Sequence, residues 1–170
     1  IVVDLARHPK MFDRDTRGPN EGTVRLDRWT IDPSSGKVLE ETLDDASQEF
    51  PRHDERRTGR RHRFGYTAEF SAGRADGPQF GRALKHDLER GHREAHDFGP
   101  GRVCGEMVFV PRSDDAVEDD GWVLGFVHNE GGEPTDLVIL HAQDFAGDPV
   151  ATVHLPTRVP IGFHGSWVAD

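Results

Sequence analysis

The chain has 170 residues, enough for one ordinary domain, and is 34% hydrophobic and 31% charged, a balance that suits half-buried strands better than a thick α/β core. Its formal net charge of -10 opposes binding to DNA or RNA. A single cysteine, Cys104, excludes an internal disulfide; no secretory leader or apolar run near the ~20 residues of a membrane span is visible, so a cytoplasmic protein is expected.

The chain opens on Ile1-Val2-Val3-Asp4 with no Met before it, which reads as a strand already under way and predicts a piece of a longer protein. Next comes RWTIDPSSGKVLEETL, Arg28 to Leu43. Its design is a strand, an Asp, a short turn with Gly and a second strand. RALKHDLERGHREAHDF (Arg82 to Phe98) and LVILHAQDFAGDPVATVHL (Leu137 to Leu155) repeat that design, with Asp32, Asp87 and Asp144 and then Gly36, Gly91 and Gly147 at matching points. Asp can bond its own turn backbone and Gly can take positive φ, so each segment predicts a β-hairpin. Between them, the basic cluster from Arg56 to Arg63 reads as a solvated loop, with a phosphate site as the alternative. The alternating runs HRFGYTAEF (His62 to Phe70) and GWVLGFVHN (Gly121 to Asn129) predict further strands. The acidic run Asp114, Asp115, Glu118, Asp119 and Asp120 reads as a charged loop tip; it lacks the spacing of a calcium loop. No stretch of 12 residues keeps a helical apolar period free of Gly or Pro. The repeat is about four strands per ~57 residues, the size of a propeller blade, and an antiparallel meander with similar turns is the alternative.

After each hairpin a strand is expected to open the next unit: SQEFPRH (Ser47 to His53), VCGEMVFV (Val103 to Val110) and VPIGFHGSWV (Val159 to Val168). Glu49, Glu106 and His164 fall 57 and 58 residues apart in them. If these strands are the innermost, the three side chains point at one axis. Buried carboxylates need partners. A metal-bound imidazole coordinates through one nitrogen and donates its other N–H, commonly to a carboxylate. One His and two Glu in register therefore suit a metal ligand with hydrogen-bond acceptors behind it. A solvent-facing Glu and a structural His are the plainer readings. His86, His92 and His96 form a rival cluster, but on a strand His92 and His96 sit about 13 Å apart by strand rise, too far to share an ion, so surface positions are expected. His53, His62, His128, His141 and His154 read as structural. Phe50 and Phe163 flank the proposed axial residues, where they either line a hydrocarbon tunnel or fill the core. Cys104, two residues from Glu106, is expected to share its face and to be buried and inert.

The stretches EFPRHDERRTGRRHRFGY (Glu49 to Tyr66), EDDGWVLGFVHN (Glu118 to Asn129), DLVILHAQDF (Asp136 to Phe145) and VPIGFHGSWV together resemble the C-terminal part of the carotenoid cleavage oxygenases, a family that includes apocarotenoid oxygenases, stilbene-cleaving dioxygenases and the retinoid isomerase. The resemblance spans essentially the whole chain. It implies an all-β fold, here about three blades of a seven-bladed β-propeller, with residues 1-170 as the C-terminal portion of a single propeller domain. It also implies Fe(2+) on the axis, held by four histidines that are backed by glutamates. His164, in F-H-G, matches the last iron ligand. Glu49, in E-F-P, and Glu106, in G-E, match two of the supporting glutamates; the other ligands and the third glutamate would lie upstream. Met107 stands where the family commonly has Pro. The implied activity is dioxygenase cleavage of a conjugated C=C bond by O2 to two carbonyl products, on an apolar carotenoid, apocarotenoid or stilbene-type substrate. A non-catalytic propeller that binds a partner, and isomerase chemistry on the same iron scaffold, are the rivals. The fragment alone is expected to be inactive without the missing upstream blades.

Overall fold

The computed structural model describes residues 1–14, 16, 21–71, 79–129 and 131–169. Eleven strands occur among them: β1 (Val2–Arg7), β2 (Arg25–Asp32), β3 (Lys37–Asp44), β4 (Gln48–His53), β5 (Phe64–Ser71), β6 (Gln79–Asp87), β7 (His92–His96), β8 (Arg102–Pro111), β9 (Gly121–Asn129), β10 (Asp136–His141) and β11 (Ala151–His154). They form three antiparallel sheets in the orders β1-β2-β3, β4-β5-β6-β7 and β11-β10-β9-β8. The only helical turns among the described residues are two of the 3-10 type, Glu55–Arg57 and Ala142–Asp144. The chain is all-β, and its three successive meandering sheets, none closed on itself, form part of a β-propeller. No helix among the described residues is long and apolar enough to cross a membrane.

The repeated hairpins are β2-β3, β6-β7 and β10-β11. In the first, the Asp32 carboxylate accepts the N–H and hydroxyl of Ser34 at 2.9 and 2.6 Å, and Gly36 turns the chain at φ 68°. In the second, Asp87 accepts the N–H groups of Glu89 and Arg90, and Gly91 has φ 61°. The third departs from the design. Asp144 ends a 3-10 turn, and Gly147 lies outside the left-handed region. A Cβ at Gly147 would come 2.4 Å from the Asp144 carboxylate, so a larger residue there would have to displace that side chain.

The main core lies between the second and third sheets. Tyr66 on β5 stacks on Phe109 of β8 with centroids 5.8 Å apart, and Phe145 closes over it at 6.1 Å. Met107, Val123, Val127, Val138 and Leu140 fill the remainder. A buried polar clamp crosses this core. Lys85 Nζ donates to Asp119 and to the Ala142 carbonyl, both at 2.6 Å, while the Tyr66 hydroxyl donates to Asp119 at 2.8 Å. Burial pushes the Asp119 carboxyl up, against the pull of Lys85 and Tyr66, and pushes the Tyr66 phenol well above its ordinary value.

Several expectations are corrected here. The acidic run is not merely a loop tip, because Asp119 is buried in the clamp and Glu118 accepts the N–H groups of Arg63 and Phe64. The basic cluster keeps residues 58–61 exposed, as expected of a solvated loop, but most of its arginines are also ion-paired. Arg56 forks onto Asp54 and reaches the carbonyls of Ser113 and Asp114, Arg61 pairs with Glu89, and Arg63 pairs with Asp87. His86 and His96 are buried rather than on the surface, on opposite faces of the second sheet: His86 on β6 lies against Thr67 and Asp44, and His96 on β7 against Phe145 and Phe98; His92 is exposed, as expected. The segment from Val159 to Val168 is not a strand. Pro156 and Pro160 lack a ladder N–H, and no strand among the described residues pairs with it.

Candidate metal centre

β4 and β8 each open their sheet at equivalent points, and both are interrupted by a one-residue bulge beside the glutamate. In β4, Glu49 pairs with Ala68 but Arg52 with Tyr66, so the extra residue falls just after Glu49. Phe50 takes φ 57° there. In β8, Cys104 pairs with Val127 but Met107 with Gly125, which places Glu106 within the bulge. Bulges break the alternation of faces and re-aim side chains. Cys104 and Met107 thus both enter the core, and Glu106 turns toward the C-terminal segment. The expectation that Cys104 shares the face of Glu106 fails for this reason. Cys104 is buried, and burial pushes its thiol up to about 12, which fits an inert residue.

Glu106 organises the site. Its Oε1 lies 3.0 Å from His164 Nδ1, and its Oε2 accepts the Gly165 N–H at 2.8 Å. Arg52, from β4, places Nη1 3.0 Å from the same Oε2 and donates to the Gly165 carbonyl at 3.0 Å. Glu106 is thus satisfied on both oxygens with only 5% of its side chain exposed, while 74% of His164 is exposed. A carboxylate can only accept, so His164 Nδ1 is the donor, and in the neutral ring this leaves the Nε2 lone pair free. The Phe50 ring meets the imidazole edge-on, with centroids 5.8 Å apart, and also stacks on Phe80 at 5.0 Å.

Glu49 has the same kind of surroundings. Its Oε1 contacts His8 Nε2, and its Oε2 accepts the Phe50 N–H at 3.2 Å. Sequence spacing brought out neither His8 nor Arg52. Arg52 sits inside the quoted E-F-P-R stretch and had a signal, whereas His8 directly follows β1 at no repeated spacing.

Phe50 is buried in the core, whereas Phe163 is 78% exposed. Phe163 lines a mostly apolar cleft of about 360 Å³ with Val108, Leu124, Phe126, Pro160 and Trp167, and His164 and Glu106 sit in its wall. The remaining histidines find structural partners. His53 and His62 stack at 4.7 Å, His62 reaches Asp4 at 2.9 Å, His128 meets Thr135, and His154 meets Asp136. No group of three or more His, Cys, Asp or Glu near enough to share an ion occurs among the described residues. One imidazole, held by a carboxylate with its free nitrogen outward, fits a single corner of a metal site.

A family model described as retinal pigment epithelial membrane protein, RPE65, matches residues 1–169. The carotenoid cleavage oxygenase of Mycobacterium tuberculosis is 43% identical over 98% of this chain and 34% of its own length. The apocarotenoid-15,15'-oxygenase of Synechocystis is 36% identical over 91% of this chain and 31% of its own length. Among solved structures, a Synechocystis apocarotenoid oxygenase superposes with a TM-score of 0.85 at 31% identity, over 99% of this chain and 36% of that one. The lignostilbene dioxygenase of Pseudomonas brassicacearum does so with a TM-score of 0.79 at 33% identity, over 89% and 34%. The chain therefore spans about a third of the length of the relatives it matches, and it belongs to the carotenoid cleavage oxygenase and RPE65 family.

Proposed function

We propose that this chain is the C-terminal portion of a single propeller domain, and that the whole protein is a non-haem Fe(II) dioxygenase cleaving a conjugated carbon–carbon double bond with O2 to give two carbonyl products. One observation carries the reading: Glu106 fixes His164 in the tautomer that leaves Nε2 free at the surface of an apolar cleft. The relatives' names supply the class of chemistry, since they are carotenoid, apocarotenoid and lignostilbene oxygenases. Iron bound at this site would supply the activation of O2. His164 would bind it through Nε2, and Glu106 would raise the basicity of that imidazole and hold its plane. Arg52 ties Glu106 to the Gly165 backbone, so the ligand's segment cannot swing without breaking an ion pair. The edge of Phe50 limits the tilt of the ring and keeps water from that side. Glu49 and Glu106 would offset the positive charge of a metal held by neutral imidazoles. The apolar wall of Phe163, Phe126 and Trp167 suits a flat, conjugated substrate, whether carotenoid, apocarotenoid or stilbene-type. A cytoplasmic setting belongs to the same reading, because reducing conditions suit ferrous iron and the lone Cys104 thiol.

The test is iron content and O2-dependent turnover of the whole protein on a panel of such substrates. His164→Ala should abolish both. Glu106→Gln keeps the shape but weakens the acceptor, and should lower affinity or activity on the order of 10–100-fold. Full iron content and turnover in His164→Ala would remove His164 as a ligand. A whole protein that binds no iron would instead be a binding module, and one that binds iron but rearranges its substrate without cleavage would be an isomerase.

A further inference from the structure

Two glutamates 57 residues apart carry matching partners: each meets a histidine on Oε1 and a backbone N–H on Oε2. The two histidines differ in what they offer beyond the glutamate. His164 is 74% exposed, with its second nitrogen open. His8 is 9% exposed, lies edge-on to Phe70 with centroids 6.3 Å apart, and its Nδ1 is buried with no hydrogen-bond partner among the described residues. A buried donor aimed at a carboxylate, with no cluster of ligating groups around its other nitrogen, is built to hold that carboxylate.

We propose that His8 is a positioning residue of the metal centre, fixing Glu49 through the contact between His8 Nε2 and Glu49 Oε1 so that the carboxylate's remaining lone pairs face a metal-bound imidazole. This rests on the iron reading above. An ionised carboxylate has about four acceptor sites. His8 and the Phe50 N–H occupy one on each oxygen, which leaves an acceptor on each for a donor from the rest of the protein. The Phe50 N–H alone cannot set the rotamer of Glu49, because it belongs to the next residue and moves with the same bulge. His8 comes from the end of β1, in another sheet, and gives Glu49 a second, independent anchor.

The test uses the whole protein, loaded anaerobically with ferrous iron and, in parallel, with cobalt(II) as a spectroscopic probe. His8→Phe keeps the ring against Phe70 but removes the donor. It should weaken iron affinity about tenfold, the scale of lost outer hydrogen bonds at metal sites, and should shift the cobalt visible absorption. His8→Gln restores an N–H and should recover most of both. In a Glu49→Gln background, His8→Phe should cause little further loss, because the two residues act through one contact. Wild-type affinity and an unchanged cobalt spectrum in His8→Phe would overturn the proposal while leaving the iron reading intact. So would equal losses in His8→Phe and His8→Gln that track the melting temperature of the metal-free protein. A wild-type protein that takes up neither metal would remove the iron reading and His8's role with it. Should His8→Phe not fold, His8→Asn, polar but too short to reach Glu49, takes its place with the same loss expected.

Discussion

His86 shows how one buried side chain couples the fold to pH. Its Nε2 lies 3.0 Å from the Thr67 hydroxyl, which itself donates to Gln48 Oε1 at 2.8 Å. The hydroxyl's proton is committed to Gln48, so His86 Nε2 is the donor, while its Nδ1 lies 3.6 Å from Asp44. Burial pushes its pKa down to about 4, against the pull of Asp44. The unfolded imidazole titrates near 6.5, so between these values the unfolded chain binds the extra proton. The stabilisation is therefore complete above about pH 6.5 and is lost as pH falls toward 4, on the order of 3 kcal/mol for a shift of this size. Asp4 and Asp87 act in a lower window. Burial raises Asp4, but Arg28 and His62 outweigh it and hold it at about 2, while Arg63 holds Asp87 at about 2. Their contribution falls only below about pH 4. We expect denaturant unfolding of the whole protein to show stability declining from pH 6.5 to 4.5. His86→Gln, which keeps an N–H for Thr67 but takes up no proton, should flatten that decline. An unchanged slope in the variant would assign the decline to other groups.

At the scale of the strand, the bulge in β8 is set by its neighbour. Gly125 on β9 faces Met107, and a Cβ there would lie 2.2 Å from the Met107 sulfur and 3.1 Å from the Glu106 carbonyl. Met107 is fully buried and has little room to retreat. Gly125→Ala should cost about 1–3 kcal/mol as overpacking and should displace the backbone that carries Glu106. A melting curve checks the first effect and iron content of the whole protein checks the second; wild-type values in both would show that Met107 repacks freely. This level also marks what was legible in the sequence. The first two hairpins were, because Asp and a Gly four residues on encode such turns locally, and the 58-residue spacing of Glu106 and His164 matches a contact that the structure contains. The bulges were not, since an extra residue leaves no trace in a pattern that alternates imperfectly. The strand expected around His164 was wrong because a strand requires a partner ladder, whereas Gly165 is held by a side chain, Glu106, instead. His8 was invisible because its role arises from the contact of two sheets, which no local pattern records.

Across the whole molecule, the third sheet is apolar on both faces. Val123, Val127, Val138 and Leu140 point into the core. Trp122, Leu124 and Phe126 alternate with them on β9, and Leu137 and Ile139 lie beside Phe126 and Leu124 on β10. The C-terminal segment shields only part of this second face, by way of Phe163 and Trp167 across the cleft, and Phe126 remains 41% exposed. A contiguous apolar sheet face is normally covered by another element, and when uncovered it promotes association. In a propeller the covering element is the next blade, which the relatives' length can supply, since this chain accounts for only about a third of it. We therefore expect residues 1–170 expressed alone to self-associate at micromolar concentration, as read by sedimentation velocity, while the whole protein does not. At the proposed centre the same chain offers iron one imidazole, His164, and one Fe–N bond cannot give tight binding. Anaerobic titration of the isolated chain should show no stoichiometric, sub-micromolar ferrous site, whereas the whole protein should show one per chain. A monomeric isolated chain would mean that the second face of the third sheet is tolerated in water. A tight iron site in the isolated chain would mean that these 170 residues, rather than the remaining blades, supply the missing ligands.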